Sequence, residues 1–356
     1  MEEEMRRLKK WAKGEPQPPV GIELAPTLRC NFSCKFCWRR KEDFEKSDEE
    51  MKVREMSLKR YIELLEEAGE MGVQEVKVIG GGEPLFRDET FEIMKEIKRN
   101  GMRGYICTNG SLFTEDMIKE LAKIGWDHVK MSIHGTKETH NEMVEAEAFE
   151  KTIENLGALA ESSVETEIGM VVVNENYEEI EKLLTIAEDI GVDHFFLEPI
   201  TVYSKMGEKL ELNEEEREEL KEDLRRLQTL AEEKDINTNF QEFVDNNLVE
   251  STNRMKEFIL SKIDEESDSF AEIPCYEPFL RMGIRVDGRV APCGFYDEEK
   301  GDSVRNKDLE EVWFGEYFEE RRKEQKEKKL PDYCSKCCTT LVNRQRRLGK
   351  NLEEIL

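Results

Sequence analysis

Chemistry in this chain is concentrated in its nine cysteines, which are unevenly spread. Three fall in the run Cys30-Asn31-Phe32-Ser33-Cys34-Lys35-Phe36-Cys37. Thiolates brought this close suit a soft metal centre, iron–sulfur or zinc. Three ligands against the four sites of a four-iron cluster leave one iron open, and an open position distinguishes a reactive metal site from a structural one. Offsets of 0, 4 and 7 would also line one face of a buried helix. Asn31 and Ser33 are poor helix-interior residues, however, and the run starts where a strand ends.

A second set is scattered near the C-terminus: Cys275, Cys293 and the run Cys334-Ser335-Lys336-Cys337-Cys338. Gly288 to Cys293 forms a Gly-x4-Cys element, and Cys334-x2-Cys337 is a common metal-binding turn. On local chemistry, zinc and iron–sulfur fit this set equally. Cys107 lies inside an apolar strand and reads as a small buried residue. His134 ends a strand and has a side chain suited to proton transfer; a hydrogen-bonded structural histidine is the plainer reading.

The elements that must position these residues alternate. Strands are expected over 20–25, 75–79, 103–107, 128–133, 165–173 and 194–198. Helices are expected over 57–71, 88–100, 114–124, 149–162, 177–190 and 213–234. Six strand–helix units imply an α/β fold with a parallel sheet. Residues 20–235 are too few for an eight-fold barrel of roughly 250 residues. An open doubly wound sheet or a partial barrel remains, and in both the chemistry sits at the C-terminal strand ends. Further on, Asp287-Gly288 joins two short strands in a hairpin, and 309–325 reads as one helix. The expected organisation is a charged leader over 1–19, a core over 20–240, a helical linker over 241–271, a cysteine-rich domain over 272–342 and a basic tail over 343–356.

The chain has 356 residues and a formal net charge of −27. Such a field disfavours nucleic acid and anionic membranes as partners. It reads as a solvated, helix-rich surface, with a docking face for a basic partner as the sharper alternative. No apolar run nears the roughly 20 residues of a membrane span, and the charged N-terminus lacks a secretory signal. A cytoplasmic location is the expectation, and cysteines there serve metals or catalysis rather than disulfides.

Cys-x3-Cys-x-aromatic-Cys on the loop after the first strand resembles the signature of the radical S-adenosylmethionine (SAM) superfamily. The resemblance implies a partial (β/α)6 barrel-like sheet with a [4Fe–4S] cluster on Cys30, Cys34 and Cys37. Its open iron would chelate SAM, one electron would cleave the sulfonium, and the 5′-deoxyadenosyl radical would take hydrogen from a substrate. Phe36 would lie beside the adenine. Gly80-Gly81-Gly82-Glu83-Pro84 resembles the family's GGEP motif, which puts Gly81, Gly82 and Glu83 at SAM's amino group. Thr108-Asn109-Gly110 resembles a further segment of the family, so Asn109, with Ser132, Asn174 and Leu197 at later strand ends, would complete the SAM contacts. One departure stands out: His140 is followed by Asn141-Glu142-Met143-Val144, without the arginine that often meets SAM's carboxylate.

The second cysteine set is similar to the SPASM/twitch domain in its shorter form. That implies an auxiliary [4Fe–4S] cluster on Cys275, Cys293, Cys334 and Cys337, with Cys338 a spare or alternative ligand. The implied partners are SAM, a low-potential electron donor of flavodoxin or ferredoxin type, and a substrate that is a small molecule or a peptide. Only about 20 residues precede the first strand, so a peptide maturase of this kind would need a separate leader-recognition partner. The contrasting reading is a non-catalytic α/β binding protein stabilised by zinc, without SAM cleavage.

Overall fold

A computed structural model describes residues 1–40, 44, 47–245, 259, 267, 269–294, 301–337 and 339–355. Nine strands form one sheet: β1 Gly21–Leu24, β2 Glu75–Val78, β3 Arg103–Thr108, β4 His128–Ser132, β5 Glu165–Val172, β6 His194–Pro199, β7 Asn237–Thr238, β8 Arg281–Ile284 and β9 Val290–Ala291. Their order is β7-β6-β5-β4-β3-β2-β1-β8-β9. Every neighbouring pair is parallel except the β8–β9 hairpin. The six expected strand–helix units are present. Three of their helices start where the sequence supplies a cap: Ser57, Thr114 and Asn213 each accept a backbone N–H from the first turn.

Alternation along each strand separates two faces. Ile22, Leu24, Val76, Val78, Ile106, Val129, Met131, Ile168, Met170, Phe195 and Leu197 join one core cluster with Leu64, Ile97, Leu121, Leu156, Leu184 and Leu224 of the connecting helices. All six helices therefore cover the same face. A doubly wound sheet would divide them between two faces, so the fold is the barrel-like alternative. The opposite, inner face carries Glu23, Lys77, Tyr105, Cys107, Lys130, Ser132, Glu167 and Glu198.

Four features depart from the sequence reading. The expected separate cysteine-rich region is continuous with the sheet, because β8 pairs with β1 in the register Gly21↔Arg281 to Leu24↔Ile284. The leader contains a helix, Glu2–Ala12, whose Met5, Leu8 and Trp11 pack with Tyr276, Phe279, Leu280, Leu348 and Leu352. The basic tail is part of a helix, Thr339–Glu353, in the same small core. The single helix expected over 309–325 is two, Leu309–Trp313 and Glu316–Lys326, because Gly315 takes an extended conformation at the joint. Most of the expected linker, 246–258, 260–266 and 268, lies outside the described residues. Arg281 donates to Glu75 and Glu4, and Arg344 to Glu277 and Glu4, so buried charges pair where both chain ends meet the sheet.

Candidate active site

Parallel pairing brings the loops after β1, β2 and β3 to one edge of the sheet, where they are laced together. The Gly82 N–H donates to the Thr27 carbonyl and the Glu83 N–H to that of Arg29, each at 2.9 Å. Approach is so close that side chains are excluded. A Cβ on Gly82 would stand 1.9 Å from the Arg29 oxygen. One on Gly81, at φ +74°, would stand 2.5 Å from that of Thr27. Glu83 is buried, and its carboxylate accepts from Thr108 Oγ1 at 2.6 Å, the Asn109 N–H at 2.7 Å and the Leu85 N–H at 3.1 Å. Burial raises the pKa of this carboxyl, opposed by the same donors. Its work in this structure is to hold the third loop against the second. Asn109 Nδ2 donates to Asn31 Oδ1 at 2.8 Å, and Asn31 Nδ2 donates to Ser111 Oγ at 2.9 Å, which ties the cysteine loop to the same frame.

The cysteine loop is pinned on its other side by the helix Lys137–Val144, which the sequence reading missed. The Ser33 and Lys35 N–H groups donate to the carbonyls of Val144 and Met143 at 3.2 and 2.9 Å. Arg40 Nε donates to the Cys34 carbonyl at 3.1 Å. Phe32 packs on Val144 and Ala148, with Cys30 and Cys34 against them, and Phe36 meets the His134 ring edge-on at 4.7 Å. Burial pushes all three thiols up, and at Cys34 the charges of Cys37 and Cys30 add to it. Three half-buried thiols within electrostatic reach, each resisting ionisation alone, form the donor set that a cationic metal centre relieves by displacing their protons. The residues fit such a centre. They also fit a ligand beside it: Gly80 is exposed with nothing within 4 Å of a Cβ there, and Asn174 Oδ1 is buried without a partner among the described residues.

Gly82→Ala is expected to displace the segment leading into Cys30 and to weaken SAM binding at least tenfold, about 1.4 kcal/mol. Equilibrium binding checks this, with Gly157→Ala as the control, since nothing lies within 4 Å of a Cβ there. Equal affinity for both variants would contradict the reading of the cradle.

The other predicted residues divide. Ser132 lies beside Cys107 on the inner face, on the neighbouring strands β4 and β3. Asn174 follows β5, its N–H on the Leu210 carbonyl at 3.1 Å and its Nδ2 on that of Lys209 at 3.0 Å. Leu197 is a correction. Its side chain, 1% exposed, points into the helix-side core, and Asn239 holds both its backbone N–H and carbonyl. The alternation of β6 turns it away from the ligand face. His134 is a brace: Nδ1 accepts the Val171 N–H at 3.2 Å, its carbonyl accepts from Asn176 at 3.1 Å, and its own N–H donates to His140 Nδ1 at 3.1 Å.

Burial lowers the pKa of both histidines, that of His140 from 6.5 to about 4. The unfolded chain binds a proton at His140 that the fold refuses. Stability is therefore full above about pH 6.5 and falls as the pH drops toward 4, by up to about 3 kcal/mol. Urea midpoints at pH 7 and pH 5 test this: wild type should lose more than His140→Asn, and equal losses would refute it.

The second cysteine set converges. Burial holds the Cys275 thiol well above its usual pKa, followed by Glu277 and the charges of Cys293 and Cys334. Cys334 and Cys337 share one turn, with the Cys337 N–H on the Cys334 carbonyl at 3.2 Å. Cys338 lies outside the described residues. Cys275 precedes β8, and β9 runs antiparallel, so Cys293 returns to the same end. The two sets thus stand at opposite ends of the paired strands β1 and β8. Between them the inner face is charged. Lys130 pairs with Glu198 and, at 3.2 Å, with Glu167. Glu23 has its pKa raised by burial and then by Glu277, and a Cβ on Gly294 would lie 3.5 Å from its carboxylate. Sequence reasoning passed over these residues. The signal was present in strands such as Glu75-Val76-Lys77-Val78 and His128-Val129-Lys130-Met131, where charge alternates with apolar residues.

The comparisons with known proteins agree with this geometry. A model of the radical SAM superfamily matches residues 24–187, and one of an iron–sulfur cluster-binding domain matches residues 275–338. The pre-heme d1 synthase of Dinoroseobacter shibae is 28% identical over 199 residues, 56% of this chain and 47% of that protein. The tungsten-containing aldehyde ferredoxin oxidoreductase cofactor-modifying protein of Pyrococcus furiosus is 27% identical over 181 residues, 48% of this chain and 49% of that protein. The chain spans about half the length of these curated relatives. Streptococcus suis SuiB, solved with its precursor peptide SuiA, superimposes with a TM-score of 0.66 at 17% identity, over 94% of this chain and 74% of that one. At that identity the likeness is one of fold. No helix among the described residues is long and apolar enough to cross a membrane.

Proposed function

We propose, from the premise that this chain belongs to the radical SAM superfamily, that it is an enzyme which takes hydrogen from a C–H bond of a substrate held on the inner face of the sheet. The observation that carries the reading is the lacing of Thr27–Arg29, the segment that leads into Cys30, to Gly81, Gly82 and Glu83. Cys30, Cys34 and Cys37 would hold a [4Fe–4S] cluster, and Cys275, Cys293, Cys334 and Cys337 a second. The division into a core over 20–240 and an auxiliary-cluster region over 272–342 follows from those assignments. When bound, the clusters and SAM supply the 5′-deoxyadenosyl radical and a route for an electron leaving the substrate.

The chain's own residues orient and exclude. Gly80 offers bare backbone, Asn174 Oδ1 an open acceptor, and Phe36 an apolar wall fixed by His134. Between the cysteine sets, Glu23 is placed to take up a proton, and Lys77, Tyr105, Lys130 and Glu198 line the way. Such a wall suits a polar substrate with hydrogen-bond donors rather than a lipid. A peptide substrate is the second reading, favoured by the likeness to SuiB, which is solved with a precursor peptide. The reductant would be a flavodoxin- or ferredoxin-type protein.

Anaerobic reconstitution followed by SAM and dithionite tests the proposal. The expected result is 5′-deoxyadenosine from protein carrying two four-iron clusters. Two zinc ions, no iron and intact SAM would instead establish the metal-stabilised binding protein.

A further inference from the structure

A third group of potential ligands lies away from both cysteine sets. His128, Glu165 and His194 are the first residues of β4, β5 and β6, at the strand ends opposite Cys30. One ligand atom from each lies within 4.8 Å of the others. His194 Nε2 is 2.6 Å from Glu165 Oε1, and His128 Nδ1 is 3.4 Å from Glu165 Oε2.

The outward nitrogens are already engaged. His128 Nε2 meets Glu167 Oε2 at 2.8 Å, and His194 Nδ1 lies 3.0 Å from the Asn237 side-chain amide, whose oxygen accepts Nδ1–H once the amide is turned over. The rings are stacked, Tyr105 on His128 at 4.7 Å and His128 on His194 at 5.5 Å. This is how metal-binding histidines are held: the far nitrogen is fixed by a carboxylate or amide, which sets ring orientation and leaves the near nitrogen free to ligate. The arrangement also contains a conflict for a neutral ring, which either a second proton or a bound cation resolves. A neutral imidazole has one N–H and one lone pair, yet His128 has a carboxylate at both nitrogens. If Nε2–H is given to Glu167, the Nδ1 lone pair faces a Glu165 oxygen. A cation between them removes that repulsion.

We propose that His128 Nδ1, His194 Nε2 and Glu165 bind a divalent first-row metal ion, with zinc as the ion best matched to two imidazoles and a carboxylate. Glu165 is half-exposed, so water completes the coordination from the solvent side. The ion would clamp the N-terminal ends of three neighbouring strands. Through Glu167, which also pairs with Lys130, it would set the charges on the inner face. It is distinct from both cysteine centres in place and ligand type.

The test uses the full chain with its iron loaded, treated with EDTA, exposed to zinc chloride and passed through gel filtration. Wild type is expected to retain about one zinc ion more than His194→Gln or the His128→Gln/His194→Gln double variant, and only wild type should gain thermal stability with zinc. X-ray absorption at the zinc edge of wild type needs no variant: nitrogen and oxygen neighbours at about 2.0–2.1 Å support the site. Sulfur neighbours at about 2.3 Å would put the ion on cysteines and overturn it. So would equal zinc retention by wild type and the double variant, or no retention by either.

Discussion

Cys34→Ala is expected to fold normally, to carry about four fewer irons per chain, and to give no 5′-deoxyadenosine from SAM. The fold survives because the loop does not depend on the thiol. Ser33 and Lys35 are held by the carbonyls of Val144 and Met143, and Arg40 spans the Cys34 carbonyl. The proposed cluster does depend on it, since a centre with three ligands and one open iron cannot lose a ligand and keep its geometry. The fall in rate should exceed roughly a thousandfold, about 4 kcal/mol in the barrier. Iron content with a discontinuous assay for 5′-deoxyadenosine decides it, and wild-type values of both would end the radical SAM assignment of this loop.

Cys275→Ala should separate the two halves of the chemistry. It removes one of the four thiols proposed to hold the second cluster, at the N-terminal end of β8, and leaves the Cys30 loop untouched at the other end of the strands. Iron should again fall by about four per chain, while SAM cleavage persists. With a substrate in hand, 5′-deoxyadenosine should accumulate in excess over oxidised product. Iron unchanged, with zinc lost instead, would make the C-terminal site a structural zinc site.

The parts of this molecule legible in the sequence are those governed by local pattern. Strand period and helix caps located the six units within a residue or two at most ends, because apolar alternation and Ser57, Thr114 and Asn213 act over a few residues. Cys30 to Cys37 and Gly80 to Pro84 were legible because their spacing is itself the chemistry. The face of Leu197 was legible too, had the alternation of His194-Phe195-Phe196-Leu197 been followed: Phe195 and Leu197 share the core side. The Glu2–Ala12 helix was hidden by charge, its Met5, Leu8 and Trp11 standing at helical spacing among Glu, Arg and Lys. Other features were not local at all. Nothing in Arg281-Met282-Gly283-Ile284 names β1 as its parallel partner, and nothing near His128 announces His194.

That β1–β8 pairing has a consequence for how the protein is made. β1 leaves the ribosome early, and its partner strand follows some 260 residues later. Until then the hydrogen-bonding edge of β1 that faces β8 is bare, beside a loop of three free thiols. A nascent or truncated chain presents that edge to other copies of itself. The interval before the last quarter of the chain arrives is thus the period of greatest exposure to misassembly and oxidation, and the one in which a chaperone has most to protect.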